Sequence, residues 1–247
     1  MFYIIIVILP VLFWIWFFRR LDKKDPEPRS LLVKLFRLGF IAIFLAFIIE
    51  IVVDGALTVD QIAERYTESG FPILDGAFLL VLLSFFLAGP IEELTKYLVL
   101  KHAIFRNPHF NQVADGIIYG VTLALGFSFI ENTGYFIDLY STLPSEEFVI
   151  ITVIRGISTT LLHVAVTGIM GLYLGWERFS GDKTSFLSLK GVAIAALLHG
   201  IYNVFVLFPY GIWINFLLVV FILGFLIYEF RRKQVTKIWF QTVSNQE

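Results

Sequence analysis

Apolar residues run along this chain in seven long stretches separated by short polar connections, at about 2–18, 31–53, 76–99, 114–137, 148–176, 187–208 and 211–230. Each stretch is long enough to cross a hydrocarbon core of ~30 Å as an α-helix. A membrane barrel would instead show segments of about ten residues alternating apolar and polar. No such alternation occurs, so the pattern predicts an all-α, polytopic membrane helix bundle of about seven transmembrane helices. The reading is of one integral-membrane domain over 1–247, ending in a short cytoplasmic tail at 231–247. The first stretch has neither a basic segment before it nor a small-residue cleavage site after it, and is read as a retained span.

Composition narrows the classes further. Of 247 residues, 58% are hydrophobic and 16% charged, against about 25% charged in ordinary soluble domains. A soluble enzyme, a disordered linker and a secreted disulfide scaffold are excluded. The absence of cysteine removes thiolate nucleophiles and Cys-ligated metal centres, and a net charge of -1 predicts no nucleic-acid partner. The basic residues alternate by connection. Arg19, Arg20, Lys23, Lys24 and Arg29 lie in the first, Lys101 and Arg106 in the third, Arg178 and Lys183 in the fifth, and Arg231, Arg232, Lys233 and Lys237 in the tail. The even connections hold only Arg65. Because basic loops stay inside, the N-terminus is expected outside and the C-terminus in the cytoplasm, with the chain lodged in the cell membrane as a multi-pass protein.

Chemistry must then come from polar residues within the spans, since each costs at least ~2.5 kcal/mol at the bilayer centre. The third span contains Gly89-Pro90-Ile91-Glu92-Glu93-Leu94-Thr95-Lys96. Glu92 and Lys96 share a helix face, Glu93 points about 100° away, and Gly89-Pro90 loosens the helix before them. The fourth span carries Glu131-Asn132 among small residues, the fifth His163 flanked by Thr159, Thr160 and Thr167, and the sixth His199 with Asn203 one turn later. The bland readings are a snorkelling helix end for Lys96, an outer-end cap for Glu131, and satisfied core histidines. Convergence of four spans on one polar centre argues against them. Ser128 and Ser158 lie in no Gly-x-Ser-x-Gly context, no aspartate lies deep in a span, and no His-Glu-x-x-His occurs. A glutamate acting as general base on water remains, with the histidines and an asparagine to hold that water, donate to an oxyanion or bind a metal.

These segments, Glu92-Glu93-Leu94-Thr95-Lys96, Gly126 through Glu131-Asn132, His163 and His199-Gly200-Ile201-Tyr202-Asn203, resemble the four motifs of the PrsW family of intramembrane proteases. That family is a branch of the superfamily of the CAAX prenyl endopeptidases and Abi immunity proteins. The segment Asp22-Lys23-Lys24-Asp25-Pro26-Glu27-Pro28 also looks like the acidic, proline-containing loop after the family's first span. The resemblance runs from about Asp22 to Phe208. It implies peptide hydrolysis in or beside the membrane, with Glu92, Glu93, Glu131, His163 and His199 as the catalytic set and Lys96, Asn132 and Asn203 in support. In the CAAX branch the glutamate motif ends in arginine one residue later, and a histidine stands where this chain has Glu131. This chain therefore sides with PrsW, and prenylated substrates are not expected. The implied substrate is a membrane-anchored protein, such as the anti-sigma factor cut by a family member.

Which of Glu92 and Glu93 is the base stays open, as does the cofactor: His163 and His199 with a glutamate could hold zinc, yet the same groups suffice without it. A proton- or ion-coupled transporter and a non-catalytic, immunity-type membrane partner are the alternatives, since intramembrane acids and histidines also form ion sites. In an ideal untilted bundle Glu92 lies on the cytoplasmic side of its midpoint and Glu131 toward the outside, about 15 Å apart. The two meet only if the third and fourth spans shift, tilt or break at Gly89-Pro90.

Overall fold

The structure, a computed structural model, describes residues 2–23, 25–57, 84–180, 186–208 and 210–244. All of its described regular structure is helical. In chain order the elements are α1 (Phe2–Leu21), α2 (Arg29–Leu57), a single π-helical turn (Ser84–Ala88) running into α3 (Gly89–Ile104), α4 (Val113–Thr142), α5 (Ser145–Phe179), α6 (Leu187–Val206) and α7 (Gly211–Ser244). Five described segments are long and apolar enough to cross a membrane: Arg29–Val53, Val113–Thr142, Glu146–Phe179, Leu187–Val206 and Gly211–Gln234. The expected start of the third span and Arg65 lie outside the described residues, as do Lys24 and Lys183.

Two boundaries differ from the apolar pattern in ways that move the site. The fourth span is expected to stop near 137, but α4 continues to Thr142 and α5 begins almost at once at Ser145. The extension is held by an aromatic knot in which Phe148 packs edge-on against both Phe136 and Tyr140. Glu131 therefore sits well inside its helix and is no terminal cap. At α3, Pro90 occupies the first turn, where its missing N–H costs nothing. The preceding π turn changes the phase and rise of the chain entering the helix. An untilted, regular helix is the wrong ruler for the depth of Glu92.

Backbone contact at glycines sets the packing of α4. A Cβ added at Gly116 would lie 2.2 Å from the Gly171 carbonyl oxygen, and one at Gly120 2.6 Å from that of Thr167. This seam brings α4 and α5 together without side chains between them, as small residues do in membrane bundles. On its other face α4 meets α2, where a Cβ at Gly126 would fall 1.9 Å from the Phe36 carbonyl oxygen. α4 is thus the central helix, and residues 114–128 are almost entirely buried.

The loop between α1 and α2 is tied to the start of α4. Asp22 accepts the Glu27 N–H at 3.1 Å, and the Tyr119 hydroxyl donates to Glu27. Asp115 caps α4 by accepting the Asn111 and Gln112 N–H groups, each at 2.9 Å. Burial pushes the Asp22 carboxyl up to about 7 and the Glu27 carboxyl up to about 8. The folded loop thus keeps protons that the unfolded chain has released above about pH 4. Its stabilisation is full below that value, declines as pH rises, and is lost above pH 8. The melting temperature of the purified protein is expected to fall by several degrees, roughly, between about pH 5 and about pH 9. Glu27→Gln, which mimics the protonated acid, should flatten part of that fall; a flat wild-type profile would contradict the loop's role.

Candidate active site

α3 delivers Glu92, Glu93 and Lys96 to the point where it faces α5 and α6. Its approach to α6 is again a glycine matter: a Cβ at Gly89 would lie 3.1 Å from the Gly200 nitrogen, next to His199. Lys96 is wholly buried. Its Nζ lies 2.8 Å from Glu93 Oε1, 3.2 Å from Glu92 Oε2 and 2.8 Å from His163 Nδ1, with the Phe127 ring centroid 3.8 Å away. An ammonium carries three hydrogens and no acceptor, so each hydrogen has one partner here.

That geometry dictates the proton on His163. Because the Lys96 ammonium can only donate, His163 Nδ1 accepts and the ring proton sits on Nε2, which donates to Glu131 Oε2 at 2.6 Å. The other oxygen of Glu131 accepts from Arg155 at 2.9 Å. His199 Nδ1 donates to Glu93 Oε1 at 3.0 Å, and its Nε2 faces Glu92 Oε2 across 4.0 Å. Thr167 donates to the second oxygen of Glu93 at 3.0 Å. Glu93 is thereby enclosed and saturated on both oxygens. Glu92 is not: part of its carboxylate reaches a cavity of about 420 Å³ between α2 and α4, whose wall also includes Glu50, Glu131 and Tyr135. A second cavity of about 530 Å³, between α1, α2 and α4, is lined by apolar and basic residues and Thr122, with no acid or imidazole among the described residues.

The structure therefore brings Glu92, Glu93, Lys96, His163, His199 and Glu131 into one network, in which Glu92 and Glu131 are joined through Lys96 and His163 and line the same cavity. The link is α5, whose His163 touches α3 with one ring nitrogen and α4 with the other. Asn132 plays a structural part, donating to Ser128 at 3.0 Å and Thr160 at 3.2 Å and accepting from Thr159 at 2.8 Å. It locks the register of α4 against α5 one residue from Glu131. Asn203 is half-buried one turn beyond His199. Sequence reasoning misses Arg155 and Glu50, although both are charged residues within apolar stretches.

The donor set also bears on metal. One ligand atom from each of Glu92, Glu93, His163 and His199 lies within 4.8 Å of the others, and two carboxylates with two imidazoles suit a zinc-type ion. Those four residues would hold it, with Lys96 displaced from their midst. Such an ion supplies Lewis-acid polarisation and an acidified water.

A family model described as PrsW family intramembrane metalloprotease matches residues 27–228, which include every residue of the network. The chain belongs to the PrsW family. It is 32% identical over 221 residues to Protease PrsW of Clostridioides difficile (strain 630), covering 89% of this chain and 84% of that protein. Protease PrsW of Bacillus subtilis (strain 168) is 31% identical over 199 residues, covering 80% and 78%. No solved structure matches. As a PrsW member this chain is a multi-pass intramembrane protease, acting on protein in a membrane setting. Within that family identity, the buried Lys96 is the cation around which the acidic and imidazole side chains are arranged.

Proposed function

We propose that this PrsW protease hydrolyses a peptide bond of a membrane-anchored protein with Glu92 as general base. The observation that carries the assignment is the contrast between the two glutamates: Glu93 spends both oxygens on Lys96, His199 and Thr167, whereas Glu92 borders the cavity. A water between Glu92 and His199 Nε2 fits their 4.0 Å separation. Glu92 takes one proton from that water while the His199 imidazole holds the water in place. The oxygen attacks the scissile carbonyl carbon. Glu92 then passes its proton to the amide nitrogen as the C–N bond breaks. Glu93 orients His199 and holds Lys96. Glu131 and Arg155 fix His163, whose Nδ1 holds the third hydrogen of Lys96, and Asn203 supports the oxyanion from the helix face of His199.

The same proposal takes the chain as a single domain over 1–247, with α1 and the segment ending in α3 completing seven spans, the N-terminus outside and the tail from 231 in the cytoplasm. A single-span regulatory protein such as an anti-sigma factor is the substrate class. The test is His199→Ala reconstituted with a single-span substrate. Cleavage should fall by at least about 100-fold while the protein keeps its fold by melting temperature. Wild-type cleavage by this variant would remove the histidine from the mechanism, and proton flux in substrate-free liposomes that depends on His199 would point to transport.

A further inference from the structure

The cavity in front of Glu92 contains a feature that the hydrolytic machinery does not use. Glu50, on α2, lines it, and its Oε1 is buried with no hydrogen-bond partner among the described residues. The two other acids nearest the network are compensated: Glu92 by Lys96, and Glu131 by Arg155 and His163. Asp138, exposed farther along α4, also lines the wall, and among the described residues no lysine, arginine or histidine does. Apart from Tyr135 the remaining wall is apolar, with Phe44 and Phe47 of α2 facing Ile130 of α4. Gly134 also lines it, and a Cβ added there meets nothing within 4 Å among the described residues. With respect to those residues, the space beside Gly134 is open to an incoming chain.

We propose that this cleft is the substrate-binding cleft and that Glu50 is its specificity residue, taking up a lysine or arginine side chain of the substrate near the cut bond. This rests on the hydrolytic reading of Glu92, which shares the cavity. The reason is charge complementarity at a site of low dielectric. An uncompensated carboxylate among aromatic walls is costly, and a cationic side chain with an apolar stem both pairs with the acid and packs on Phe44 and Phe47. A neutral or acidic substrate residue leaves Glu50 unpaired or repelled. Glu50 is thus a positioning group: it registers the substrate so that one carbonyl reaches Glu92.

The test uses labelled single-span peptides, identical except for Lys, Gln or Glu at one position stepped along the segment flanking the span. Affinity and cleavage are both measured with the protease in nanodiscs. The Lys peptide at the preferred position should bind about tenfold or more tighter than the Gln peptide. Glu50→Gln should erase that difference, and Glu50→Lys should reverse it toward the Glu peptide. Gly134→Leu, whose side chain enters open space and spares the fold, should weaken binding of all three peptides. Equal affinity for Lys and Gln peptides at every position, or discrimination surviving in Glu50→Gln, overturns the proposal. Lys-selective binding without cleavage by the wild type would instead sink the hydrolytic reading and leave the cleft assignment standing. Cleavage without selectivity does the reverse.

Discussion

Glu92→Gln is expected to abolish proteolysis and leave the protein folded, whereas Glu93→Gln should damage both properties. The difference follows from the partners of each side chain. Glu92 gives up one contact to Lys96 at 3.2 Å and otherwise borders the cavity, so an amide of the same shape removes the base and little else. The loss should appear in kcat, by about 10²–10⁴-fold, with KM nearly constant, because the group acts on the water and contributes little to substrate binding. Glu93 is fully buried and accepts from three side chains. Its amide presents donors to Lys96 or Thr167, and the melting temperature should fall along with activity. Cleavage kinetics and thermal unfolding on the two variants check the assignment. If Glu93→Gln is inactive with native stability while Glu92→Gln cleaves normally, the base is Glu93.

The second large effect is expected at Lys96. Lys96→Met keeps the length of the side chain and removes the charge that faces Glu92, Glu93 and His163. Taking one partner from a buried ion pair typically costs about 3–5 kcal/mol, because the remaining charge stays buried without compensation. Cleavage and stability should both collapse. Lys96→Arg should not rescue them, since a planar fork of five donors cannot replace a point charge lying 3.8 Å from the centre of the Phe127 ring. Adding Glu93→Gln to Lys96→Met should restore part of the stability and none of the activity. A Lys96→Met protein that melts like the wild type would show that the ammonium does not hold this network together.

Much of the fold is legible in the apolar stretches, because a chain in lipid must satisfy its backbone internally and the only pattern present is helical. Glu92, Glu93, Glu131 and the histidines stand out in the sequence for the same reason: a polar group in such a stretch is conspicuous. What is not legible is depth. Residue counting treats each span as a regular, upright helix, and that assumption separates Glu92 from Glu131. It fails at the π turn before Gly89 and at the aromatic extension of α4 beyond Gly134. Glu50 and Arg155 are hidden by the same habit, since each lies near one end of its apolar stretch and reads there as an interfacial charge. Only the packing shows Arg155 turned onto Glu131 and Glu50 turned onto the cavity.

The contact of α2 with α4 at Phe36 and Gly126 has a mechanical consequence. Two rigid helices touching backbone to backbone at one level cannot separate there, so any widening between them must grow with distance from that crossing. Ile43, Phe47 and Glu50 lie successively farther from it along α2, and Ile130, Gly134 and Asp138 do so along α4. The pair behaves as a wedge with its apex at Gly126 and its mouth toward Asp138. A small change of crossing angle would leave Glu131 almost stationary while altering the gap at the mouth.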